Sequence, residues 1–130
     1  MGMSYSYKPV LLKAIFENID DKGRVRVEDL VDYFIDYYED RREKGLVVEK
    51  KTCLYLREYT RKKVENNIFT NPFKRFEDMN FIKRNKDLEY IEIGRHILKK
   101  LSDDEKKWIM EQSDRKLREY FGDKMFGYSG

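Results

Sequence analysis

Apolar side chains at Leu11, Leu12, Ile15, Phe16 and Ile19 recur every three to four positions, a spacing that predicts an amphipathic helix opening at Lys8–Pro9. Proline suits a first helical turn, where its missing N–H has no partner to lose. The breaker-rich turn Asp20-Asp21-Lys22-Gly23 ends the helix, and Arg24-Val25-Arg26-Val27 then alternates at period two, as a short strand does. A second helix follows. Glu28 and Asp29 stand in its first turn, where the positive end of the peptide dipole favours carboxylates. Leu30, Val31, Phe34, Tyr37 and Tyr38 form its apolar face, and Gly45 is its C-terminal stop.

Residues 46–59 (LVVEKKTCLYLREY) are apolar enough to be ordered, yet they follow neither period. A third helix is expected from about Tyr59 to Thr70, with Val64, Ile68 and Phe69 inward. Asn71-Pro72 restarts the chain as N-cap and first helical residue of a short helix through Met79, which presents Phe73 and Phe76 to the core. Phe81–Arg84 and Leu88–Ile93 read as strands around Asn85-Lys86-Asp87, a three-residue hairpin loop, and Gly94 ends the second strand. Residues 95–101 suggest another short helix. Ser102-Asp103-Asp104-Glu105 is a capping box opening a last helix, whose inward residues are expected to include Trp108, Ile109 and Leu117, with Gly122 beyond its end.

The order is helix, strand, helix, helix, hairpin, helix. It predicts a mainly α protein with a small β-hairpin (α+β), a winged-helix-like three-helix core with added C-terminal helices, in which the first strand joins the hairpin. The departure from that pattern is the 46–59 connection, since a helix-turn-helix joins its helices by about 3–4 residues. An insertion there would reorient the third helix or cover it. The chain of 130 residues is expected to hold a single domain over 5–122, with 1–4 and 123–130 as flexible tails.

Charge sharpens the picture. Charged residues are 41% of the chain, yet the net charge is only +3. Residues 1–40 carry 5 basic and 9 acidic side chains, residues 41–75 carry 11 and 4, and residues 76–130 carry 12 of each. A basic middle of this kind suits a polyanion, although solvated faces of amphipathic helices produce charge runs too. The single cysteine, Cys53, excludes an internal disulfide and a cysteine-built zinc site, and reads as a small buried hydrophobe. With no long apolar run and no apolar core in MGMSYSYK, no membrane span or signal peptide is expected, and the protein is placed in the cytoplasm.

Little in the chain points to catalysis. His96 is the only histidine, no glycine-rich phosphate loop is present, and the paired acids Asp20/Asp21, Glu28/Asp29 and Asp103/Asp104 are explained by turns and helix starts. Asp87, Glu89 and Glu92 on the hairpin are the weak basis for a nuclease reading. No enzyme, cofactor or metal is expected. Nucleic-acid binding has more support. In a helical register Arg57 and Arg61 lie four apart on one face with Lys62 and Lys63 beside them, Lys74 and Arg75 open the short helix, and Lys83, Arg84 and Lys86 surround the hairpin tip. In the expected fold the third helix and the wing are neighbours, so these cations would meet a DNA backbone together, without sequence selectivity. The alternative is a protein–protein adaptor of the same fold, its acidic second helix (Asp32, Asp36, Glu39, Asp40) facing a basic partner.

The stretches YKPVLLKA, DYFIDYYEDRREKG and NPFKRFED before the hairpin, ending in LSDDEKKWI, carry a family likeness. Over roughly residues 5–120 the chain resembles the C-terminal accessory region that follows the motor of bacterial DEAD/DEAH-box helicases of the restriction and phage-defence type. The resemblance implies a module that helps a larger helicase or nuclease contact DNA or its own subunits. It carries over no active-site residue, because the helicase motifs are absent.

Overall fold

The computed structural model describes residues 5–122, and the tails expected at 1–4 and 123–130 lie outside them. The elements run α1 (Tyr7–Asn18), β1 (Arg24–Arg26), α2 (Val27–Glu43), a 3-10 turn (Leu54–Leu56), α3 (Arg61–Thr70), α4 (Pro72–Asp78), β2 (Ile82–Asn85), β3 (Tyr90–Ile93), α5 (Arg95–Leu98) and α6 (Asp103–Phe121). The protein is mainly helical with one small antiparallel sheet, as the hydrophobic periods require.

α1 is the central helix, packed against α2 and α6 and touching α4. Val10, Leu11, Ala14 and Ile15 on it are fully buried, and Leu30, Phe34 and Tyr38 of α2 meet them in one core. Each such aliphatic or aromatic side chain contributes roughly 1.5–3 kcal/mol by leaving water. Gly23, at φ 80, makes the turn from α1 into β1, a left-handed conformation that costs glycine little. The Ser102 capping box is complete: Ser102 Oγ accepts from Glu105 N at 3.1 Å and Glu105 Oε1 accepts from Ser102 N at 3.0 Å. Gly122 closes α6 in the left-handed conformation.

The sheet has the order β1-β3-β2, so the strand after α1 joins the hairpin from the far side. Val25 lies opposite Ile91, and Ile82 opposite Ile93, with all four side chains buried. The opposite face carries two cross-strand rows, Arg24–Glu92–Lys83 and Arg26–Tyr90–Asn85.

Residues 46–59 are held by distant partners rather than by a period of their own. Glu49, only 4% exposed, accepts on Oε2 from Ser6 N (3.0 Å) and Ser6 Oγ (2.6 Å), and on Oε1 from Lys50 N (2.8 Å) and the Tyr120 hydroxyl. Tyr55 is fully buried, its ring stacked 4.2 Å from that of Tyr38 and its hydroxyl donating to Asn67 Oδ1 at 3.1 Å. Arg41 Nε donates to Val47 O at 2.6 Å, and its guanidinium lies 3.6 Å from the centroid of Phe121. Cys53 is buried. The segment therefore anchors to the core at Val48, Glu49, Cys53 and Tyr55, keeps Leu46, Val47 and Leu56 at the surface, and leaves Arg61, Lys62 and Lys63 exposed.

Three local expectations fail. Arg57 shares no helical face with Arg61, because α3 begins at Arg61 and Arg57 lies in extended backbone just after the 3-10 turn. The hairpin loop has four residues, 86–89, instead of three, and Leu88 is 68% exposed outside the strand. Asn85 Oδ1 accepts from Leu88 N at 2.9 Å and curls the loop, while Glu89 takes φ 54, which breaks the alternation from Leu88 to Tyr90. Trp108 does not face inward; it is 60% exposed. Leu117, which is buried, lies nine residues further along α6, about 2.5 turns, so the two side chains point to opposite sides of the helix.

Candidate nucleic-acid interface

α3 opens on Thr60, whose side chain accepts from Lys63 N at 3.2 Å, and it buries Val64 and Ile68 one turn apart. Lys62, Lys63, Asn66 and Thr70 are exposed, while Glu65 and Phe69 are half-buried. Those last two lie four apart and meet the hairpin.

The meeting is made by one side chain. Arg84 of β2 reaches Glu65 at 3.0 Å, and its guanidinium carbon stands 3.8 Å from the centroid of the Phe69 ring. A second pair, at 3.3 Å, joins the same nitrogen to Glu89 in the hairpin loop. The Glu65 carboxyl is pushed up by burial, but the hydrogen bond from Arg84 and the nearby Lys62 outweigh this and hold it below the usual value. The hairpin is thereby fastened beside α3, with Arg84 spent on the fastening.

The sequence-predicted cations divide into two groups. Arg61 pairs with Asp32 of α2 at 2.6 Å, Lys62 stands 3.5 Å from Glu65, and Lys74 pairs with Asp78 at 2.9 Å and Glu77 at 3.9 Å. Together with Arg84 these are engaged inside the molecule. Arg57, Lys63, Arg75, Lys83 and Lys86 make no ion pair among the described residues. Arg57 and Lys63 share an open cleft with Arg42 and Glu39 at the start of α3, and Lys83 and Lys86 share a concavity on the hairpin with Tyr90 and Glu92. A third cleft, between the start of α2, α3 and the hairpin loop, holds Arg26, Arg61 and Lys62 along with Glu28, Glu65 and Glu89. Lys74 and Arg75, on α4, line none of these three.

Two cations absent from the sequence-based set belong to the same surface. Arg24 and Arg26 flank the buried Val25 and share the outer sheet face with Lys83. Arg24 lies with its guanidinium carbon 4.7 Å from the centroid of Tyr90, and Arg26 pairs with Glu28. The signal was present in the alternation Arg24-Val25-Arg26, because burying the valine turns both arginines to the other face. Of the acids of the weak nuclease reading, Asp87 and Glu92 line the hairpin concavity with Lys83 and Lys86, Glu92 standing in register between Arg24 and Lys83, while Glu89 is paired to Arg84. No grouping of three metal-ligating side chains occurs among the described residues, and none of their helices is long and apolar enough to cross a membrane.

Comparison with protein-family models, with curated proteins and with solved structures finds no match to this chain.

Proposed function

We propose that the chain is a winged-helix-like, non-catalytic accessory module that grips a DNA backbone with α3 and the hairpin, in the service of a larger DNA-processing helicase or nuclease. The observation that carries this reading is the Arg84–Glu65 clasp. It fixes the hairpin beside α3 while leaving Lys63 on the helix, and Lys83 and Lys86 on the hairpin, exposed to solvent and without an ion pair among the described residues. Element order and sheet order agree with a wing that is completed by the strand after the first helix. Ammonium groups presented without base-reading partners suit phosphates, and Asn66 is the one exposed amide of α3. The helicase setting is what the resemblance over roughly residues 5–120 implies, and it belongs to the proposal.

The test is fluorescence anisotropy of labelled duplexes against salt. Binding should weaken steeply as salt rises, and replacing Lys63, Lys83 and Lys86 with Ala should weaken it alike for all sequences, flattening the log–log salt slope by about 0.9 for each phosphate left unneutralised. Absence of binding at low salt would overturn the DNA reading in favour of an adaptor.

A further inference from the structure

A surface unrelated to the cation clusters lies between α6 on one side and α1, α4 and α5 on the other. It is a groove of about 560 Å³, within the range of roughly 300–1,000 Å³ found for sites that bury apolar groups. Phe76 and Phe81, their rings 5.5 Å apart, form part of its wall with Leu12 and Ile109. Trp108 and Met79 stand on it and are 60% and 64% exposed, although both are side chains that folding normally covers. Indole and thioether groups gathered in one concavity are typical anchors of protein association.

The charged side chains that line it have one sign. Lys8 and Lys116 are the charged residues that line the groove. By helical register, Asp104 and Glu111 fall on the side of Trp108 away from Ile109, and so outside it. Glu105 is turned back onto Ser102 N, while Glu77 and Asp78 of α4 face Lys74.

We propose that this groove docks an acidic amphipathic segment of a partner protein, whose large apolar side chains seat against Trp108, Met79 and the two phenylalanines while its carboxylates meet Lys8 and Lys116. Such docking lays one apolar helix face or strand face into a groove. The two lysines that line the groove select against a basic segment by repulsion. The site is separate from the DNA reading and stands if that reading fails.

Trp108 is the chain's single tryptophan, so its emission reports directly on the groove. The experiment titrates the full chain with a synthetic amphipathic peptide of about 15 residues, long enough for a marginal helix, carrying Leu and Phe on one face and Asp and Glu on the other. The control peptide has Lys in place of every acid. A saturable blue shift with the acidic peptide alone is expected. It should be lost in Met79→Asp, a change at an exposed site, and weakened about tenfold in Lys8→Glu with Lys116→Glu, with circular dichroism confirming the fold of each variant. No shift with the acidic peptide, or an equal shift with the basic one, overturns the proposal. A blue shift that grows with protein concentration and doubles the mass in sedimentation overturns it in favour of a second copy. Emission already blue in the dilute protein alone overturns it in favour of residues 123–130 as the occupant.

Discussion

Arg84 sets its guanidinium carbon 3.8 Å from the centroid of the Phe69 ring and is ion-paired to Glu65, so a strand residue at the hairpin is held to two positions of the same helix one turn apart. Its side chain is only 16% exposed, and its Nε is buried without a hydrogen-bond partner among the described residues. A cation that sheltered works as a fastener and is poorly placed to reach a phosphate.

Replacing Arg84 with Ala should therefore lower stability by about 1–3 kcal/mol in denaturant unfolding, by removing the cation from the Phe69 ring and leaving Glu65 short of a partner. Lys83→Ala and Lys86→Ala should stay within about 0.5 kcal/mol of the parent. Acid should act on the same ion pair. The carboxyl of Glu65 sits below its ordinary 4.5, so its contribution is complete above that pH and fades as pH falls through the lowered value. The Arg84→Ala protein should show a shallower loss of stability below pH 4.5 than the parent, and parallel acid limbs would refute the assignment.

Glu49 accepts four hydrogen bonds, two on each carboxylate oxygen, and every partner is a donor or acts as one: Ser6 N, Ser6 Oγ, Lys50 N and the Tyr120 hydroxyl. Ser6 Oγ, having donated to Glu49, accepts from Tyr38 at 2.5 Å. An amide satisfies this arrangement only in part. Whichever way Glu49→Gln is turned, its NH2 group faces one obligate donor, the backbone N–H of Ser6 or of Lys50, even if the neighbouring hydroxyl turns to accept, so the near-isosteric change should cost about 1–3 kcal/mol in equilibrium unfolding. A loss under about 0.5 kcal/mol would show that the network contributes nothing.

Alkaline unfolding should be cooperative. Burial pushes the phenols of Tyr7, Tyr38 and Tyr55 well above the ordinary value of 10.0, and burial followed by the bond to Glu39 pushes Tyr59 up to about 12. The folded state keeps protons that the unfolded chain releases near pH 10, so these groups' contribution is whole below that pH and is lost as pH climbs toward the folded values. Tyrosinate absorbance from the cluster should appear together with loss of far-ultraviolet circular dichroism. Smooth ionisation of all ten tyrosines with the helices intact would contradict the buried cluster.

What could be read in advance follows the range of the forces involved. The capping box at Ser102 and Glu105, the Gly23 turn and the apolar stripe of α1 are settled within a few residues, and the sequence displays them openly. The order of residues 46–59 depends on Ser6, Tyr38, Asn67 and Tyr120, partners that no local period announces. Trp108 differs for another reason: hydrophobicity alone does not set burial, and nine residues of helix place it opposite the buried Leu117. At the candidate interface the residue types were visible, but their availability was not. Arg84 and Lys83 are neighbours of the same charge, and the pleat turns one into a clasp and the other toward solvent. The arginines at 24 and 26 joined that surface only through strand pairing with Tyr90 and Glu92.

Ser6 and Tyr120 stand near the two ends of the described chain, and both give a hydrogen bond to the one carboxylate of Glu49. The two ends of the described structure are thus held side by side on one acceptor, the arrangement in which splicing a domain into a surface loop is tolerated.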